Sequence, residues 1–396
     1  MKNLTYKGCS VMKKTRESST SQIGIAEKRN LVACLANMGF THIEITMYGE
    51  TNANLISNGF TPSPLSIEAE TQQWYDVIHA QPNRYGSSVF GGYMKVYDRT
   101  VFCGIEGISG FAYDTATPIG TASSASTDGE STWCGRYYRY LRTNVGASHI
   151  ETGDIQCPIP EITGQAFGGN FFTNQAGAKS CVSHFRTIAN AFYAENGKTC
   201  VFLNNPNFSE VTSGWWDGAY SENGIVCYDY YGGARGTGKV HPLDYAYEIN
   251  QLYAGTSPTA GYGIGTADLP QFIGEWGDLS TSISINGTRS GDNFATGSTN
   301  LNEWVDYWRR YLNAMTDLVD AGKLVGYNYW GGWEDQNTSI LDKSGSGASS
   351  QYFPNWRGQM LSHYLLSGRM ARNPIVNNGT YTEASPSFGG RDMFIT

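Results

Sequence analysis

Pro270-Gln-Phe-Ile-Gly-Glu-Trp-Gly277 reads as a short apolar strand that delivers one carboxylate, Glu275, into a Gly/Trp setting before the mostly polar run Asp278–Ser282. A Glu placed this way is either a reagent or the partner of an arginine at the strand end. Working outward, similar short runs recur at Tyr6–Val11, Thr41–Met47, Thr100–Ile105, Asp154–Cys157, Thr199–Leu203, Gly224–Tyr230, Pro270–Ile273 and Leu324–Tyr329. Between them lie segments of helical period: Ala26–Met38, Ile67–His79, Trp133–Arg142, Ala178–Ala194, Pro242–Tyr253 and Leu301–Ala321, with Trp356–Ser367 closing the series. Strands that alternate with helices predict an α/β fold, a (β/α)8 TIM barrel with long βα loops. The expected organisation is one domain over residues 1–396, with 371–396 as a C-terminal extension. The stripe Trp304, Trp308, Leu312, Met315 and Leu318 is read as a core-facing helix side.

Composition narrows the function classes. With 26 Tyr, 17 Phe, 10 Trp and 48 Gly but only 16% charged residues, the chain suits large loops that present flat rings, a profile that fits sugar faces. A net charge of −8 at pH 7, without a Lys/Arg cluster among the aromatics, argues against nucleic acid as a partner. No apolar run approaches a membrane span, and Met1-Lys-Asn-Leu-Thr-Tyr6 lacks the core of a signal peptide. Secretion with the leader absent from this sequence is the expected location, a cytoplasmic one the alternative. The eight cysteines are expected to be mostly free thiols, since Cys9, Cys157, Cys200 and Cys227 lie in or beside strands. Five Asn-X-Ser/Thr sequons (Asn3, Asn207, Asn286, Asn337, Asn378) are acceptors only in a eukaryotic secretory pathway.

Two glycine-rich stretches are not nucleotide sites. Gly233-Ala-Arg-Gly-Thr-Gly-Lys239 nearly spells a phosphate loop, but Val240 replaces the hydroxyl that should reach magnesium and His241-Pro242 interrupts the helix start. Tyr262-Gly-Ile-Gly265 lacks a third glycine and a helix after it. No His-Glu-X-X-His pattern or tight His/Cys cluster marks a metal site, so no cofactor is expected.

The chemistry-bearing residues fall at the carboxyl ends of the strands, where a barrel's loops converge. Strand four leads into Pro158-Ile-Pro-Glu161, strand six ends in Tyr228-Asp-Tyr-Tyr231, strand seven leads into Glu275, and strand eight runs into Tyr327-Asn-Tyr-Trp-Gly-Gly-Trp-Glu-Asp335. Cleaving a glycosidic bond with retention needs two carboxyl groups about 5–5.5 Å apart, and strands four and seven face each other across the mouth.

On these motifs, Gly-Glu-Trp-Gly (274–277) above all, the chain over roughly residues 5–370 resembles the clan of barrel retaining glycoside hydrolases that includes cellulases, mannanases and xylosidases. The resemblance implies that Glu275 is the nucleophile, Glu161 the acid/base, Tyr231 the phenol that holds the nucleophile and Trp330 the floor of the sugar subsite beside the cut. It thus implies a β-linked oligo- or polysaccharide substrate. The chain departs from the clan at three places. Pro160 stands where the clan has Asn before the acid/base, Glu44 where strand two carries an Arg near the nucleophile, and Asp229 where strand six has His. Glu106, at the end of the expected third strand, is the next acid candidate, followed by Glu44 and Glu50. Asn204 and Asn205 are candidates for the missing amide contact to sugar. Trp215, Trp216 and Trp333, with Glu334 and Asp335, are candidates for outer subsites, and Trp276 is either a packing wall or a substrate contact. The departures leave a catalytically silent carbohydrate-binding barrel as the alternative function.

Overall fold

The computed structural model describes residues 1–11, 23–46, 65–100, 117–158, 175–206, 211, 224–230, 242–255, 268–276, 301–330, 332, 339–370, 375–377 and 380–382. Eight strands form one sheet: β1 (Tyr6–Ser10), β2 (His42–Ile45), β3 (Lys95–Asp98), β4 (Ile155–Gln156), β5 (Val201–Phe202), β6 (Val226–Asp229), β7 (Gln271–Trp276) and β8 (Leu324–Tyr329). They pair in the order β5-β4-β3-β2-β1-β8-β7-β6, every pair parallel. The two outer strands of that order meet at their carboxyl ends, where the Asp229 N–H donates to the Pro206 carbonyl (3.0 Å) and the Asn205 amide donates to Asp229 (2.7 Å). The sheet is therefore rolled on itself, and among the described residues helices lie between successive strands in every connection except β5–β6, a (β/α)8 barrel.

Because a parallel sheet is covered on both faces, its strands are almost wholly buried, and all six residues of β7 are. Alternation then sorts them. Phe272 joins Tyr97, Ile155, Cys157, Leu203 and Cys227 in a cluster inside the barrel, while Ile273 and Trp276 join the larger core under the helices. Trp276 stacks flat on Tyr311 of helix Leu301–Asp320 (ring centroids 4.4 Å apart) and meets Trp308 edge-on, so it is a packing wall. Beneath the interior cluster, Tyr6, His42 and Phe90 close the barrel's other end, with His42 set edge-on to Phe90 at 4.7 Å. Burial pushes the His42 pKa down to about 4, so this ring sits neutral in its plug. Gly326 is required inside the barrel because the Phe272 ring fills the room its Cβ would need.

The third strand is Lys95–Asp98, upstream of the expected Thr100–Ile105. A tetrapeptide with a charge at each end does not look like a buried strand, yet all four residues are buried. Asp98 is tolerated because it accepts from the hydroxyls of Tyr75 (2.6 Å), Tyr140 (2.9 Å) and Thr100 and from the Thr100 N–H (3.0 Å). Tyr75 reaches it from helix Ile67–His79, which Ser66 caps by accepting from Ala69 N–H. Residues 101–116, and with them Glu106, lie outside the described residues. The residue that follows β3 is Arg99, not Glu106.

Two hairpins were not foreseen, β9–β10 (Leu341–Ser344, Gln351–Pro354) and β11–β12 (Ile375–Asn377, Thr380–Thr382). The first is tied to helix Ile25–Asn37 through Lys343 and Tyr352, which both bind Glu27. Among the described residues no helix is long and apolar enough to cross a membrane. Cys9, Cys34, Cys134, Cys157, Cys181, Cys200 and Cys227 are free thiols.

Candidate active site

The strand that opens the sequence argument is bulged. Ile273 pairs with Tyr228 and Glu275 with Asp229, so Gly274 is the extra residue on β7. The bulge turns Glu275 towards the mouth while Trp276 stays in the helix layer. Gly274 has no substitute here, since a Cβ would collide with the Asn205 amide on one side. On the other side the Asn328 amide donates to the Gly274 carbonyl at 2.9 Å. Two asparagines from β5's end and β8 thus bracket the residue before the carboxylate.

Arg99 lies at the centre. Alternation along β3 puts Tyr97 inside the barrel, Asp98 outside and Arg99 inside again. Its Nη1 binds Glu275, its Nη2 lies 3.1 Å from Asp229 Oδ2, and Glu44 Oε1 stands 4.0 Å from Nη1. All four side chains are buried. Burial alone would lower the Arg99 pKa, but Glu275, then Asp229 and Glu44, more than reverse it and hold it well above its ordinary value. Trp330, half-buried after β8, lies over the guanidinium with its ring centre 5.3 Å from Cζ. Asn205 completes the layer, donating to Asp229 and accepting from the Cys227 thiol at 3.1 Å.

Glu44 is the least settled charge. Its Oε1 accepts from Ser10 Oγ (3.2 Å) and Thr46 Oγ1 (3.3 Å), and its Oε2 from the Asn328 amide. Burial still dominates and pushes its pKa from 4.5 up to about 7; Arg99 opposes this and Glu275 adds to it. A carboxyl whose folded pKa is raised binds more protons folded than unfolded. Its contribution to stability is therefore intact at low pH and lost as pH rises from 4.5 through about 7. Denaturant unfolding across that range should show a decline on the order of 3 kcal/mol that Glu44→Gln flattens.

Of the residues singled out in the sequence, the structure brings together Glu275, Glu44, Asp229, Asn205 and Trp330. Asn204 is buried with neither amide atom bonded and stands apart from this network. Glu161, Tyr231, Trp215, Trp216 and Trp333 lie outside the described residues. Strand β4 ends at Gln156, so both prolines of Pro158-Ile-Pro160 fall beyond it. Tyr230 points to the helix layer, where its hydroxyl binds Glu248. Sequence reasoning missed Arg99, Asn328 and Ser10. The resemblance expects a guanidinium on the second strand; the one beside Glu275 follows the third, and it was missed because β3 was expected further along the chain. Among the described residues no group of three or more His, Cys, Asp or Glu is arranged to hold a metal ion.

Fold and site together define a (β/α)8 barrel with a buried carboxylate–guanidinium cluster at the carboxyl ends of its strands. Among solved structures this fold is similar to a β-glycosidase, BGL167 (TM-score 0.50, 10% identity, 95% of this chain and 99% of that one). It is likewise similar to the ligand-free β-glucosidase 1317 (TM-score 0.50, 9% identity, 93% and 99%). At these identities the likeness is one of fold. No family model matches the chain, and no curated protein matches it in sequence.

Proposed function

We propose that this chain is a retaining glycoside hydrolase acting on a β-linked oligo- or polysaccharide. Glu275 attacks the anomeric carbon as Glu161 protonates the departing oxygen. Glu161 then takes a proton from the water that breaks the glycosyl-enzyme ester, which frees Glu275. The observation that carries this reading is the β7 bulge, which sets Glu275 among the buried polar groups of the mouth beside a permanent positive charge. A guanidinium in contact favours the ionised form a nucleophile needs. A fold shared with a β-glycosidase and a β-glucosidase supports the substrate class. Incubation with a panel of plant, fungal and bacterial polysaccharides and aryl glycosides, with product analysis, tests it.

The same Arg99 contact supports a second reading, a carbohydrate-binding barrel in which the ion pair is structural. Sugar binding without turnover across the whole panel would select it.

Trp330 offers a finer test. One side of its ring lies against Arg99, and the proposal stacks sugar on the other, next to the reacting ring. Trp330→Ala should then lower kcat as well as kcat/KM even on the shortest substrates, because stacking near the cut tightens as the sugar flattens in the transition state. An effect confined to KM on long chains would move Trp330 to an outer subsite.

A further inference from the structure

Glu275 does not have Arg99 to itself. The nitrogen that binds it, Nη1, is also the guanidinium atom that Glu44 approaches, at 4.0 Å. The two carboxylates are further joined through one side chain, since Asn328 donates both to Glu44 and to the Gly274 carbonyl that precedes Glu275. We propose that Glu44 is a positioning residue for the nucleophile: as a neutral acid it leaves Nη1 to Glu275, and as a carboxylate it draws the guanidinium towards β2 and loosens the nucleophile's hold. The inference rests on the glycosidase reading.

Several described groups around Glu44 bear on its proton. Ser10 and the Cys9 thiol face it from β1, Thr46 from just past its own strand, Tyr97 from the third and Arg99 from just past it, Cys157 from beyond the fourth, Glu275 from the seventh and Asn328 from the eighth. Arg99 is the one cation among them. It is already engaged by Glu275 and, through its other terminal nitrogen, by Asp229. Among the described residues, an ionised Glu44 therefore finds no charge partner except by competing for Nη1. This sets a direction for the pH dependence: gain of charge at Glu44 costs Glu275 its partner.

The test is kcat/KM against pH on an activated aryl glycoside, whose departure needs no proton from Glu161. Wild type should lose about tenfold per pH unit above about 7. In Glu44→Gln that limb should disappear or move up by at least about one pH unit. Ser10→Ala, which deletes one hydrogen bond to the carboxylate and leaves the barrel packing intact, should move the limb up by a fraction of a unit. An unmoved limb in Glu44→Gln overturns the proposal. The coupling is also read without turnover, from the pH dependence of unfolding. The Glu44 window should shift to lower pH in Glu275→Gln, because the like charge that raises it is gone. If no aryl glycoside turns over but that shift is present, the glycosidase reading fails and the coupling stands. If turnover is present and neither the limb nor the window responds, Glu44 does not position Glu275.

Discussion

Glu275→Gln is expected to fold and to lose at least about four orders of magnitude in kcat, because an amide cannot form the glycosyl ester. The amide oxygen still accepts from Arg99 Nη1, so the layer around it keeps its contacts. The loss should therefore appear chiefly in rate with the fold retained, any change in stability following from the altered charge balance of Arg99 and Glu44. Glu161→Ala should fail differently, retaining activity on activated leaving groups and regaining turnover with azide as a β-glycosyl azide. Normal turnover by Glu275→Gln would remove the nucleophile assignment altogether. Azide rescue of Glu275→Ala to an α-glycosyl azide would, in contrast, support it.

Arg99→Met carries the largest expected effect on stability. It removes the buried cation that Glu275 and Asp229 share, and breaking a buried pair by removing one partner costs about 3–5 kcal/mol. The sign with pH follows. Carboxylates stripped of their cation have folded pKa values above their unfolded ones, so the deficit is full at neutral pH and shrinks as both states become protonated on acidification. Urea unfolding of Arg99→Met at neutral pH and at about pH 4 measures this. A substitution that costs no stability at neutral pH would mean the carboxylates keep other cations.

What could be read in advance follows from where information resides along a chain. Leu324–Tyr329, Ile67–His79 and Pro242–Tyr253 are legible to the residue, because apolar periodicity and terminal signals are local properties. Lys95–Asp98 was not, since the groups that make a buried Asp98 tolerable, Tyr75 and Tyr140, come from two separate helical segments. Missing that strand hid Arg99. The bulge at Gly274 was equally out of reach, because register is a relation between strands and not a property of one. Glu275, Asp229 and Asn205 were legible as strand-end polar residues, yet their partnerships became visible only once the barrel placed them.

Asp229 and Asn205 do two things at once. They stitch β5 to β6, the one neighbouring pair outside the sheet's continuous ladder, and they present the carboxylate that Arg99 grips. The last seam of the cylinder and the electrostatic cradle of Glu275 are thus built from the same atoms. While the seam is open, Asp229 is hydrated and the guanidinium lacks half its anchorage; when it shuts, both carboxylates leave water together. Closing the circle and completing the anchorage of the guanidinium beside Glu275 are therefore one event, carried by the same two side chains.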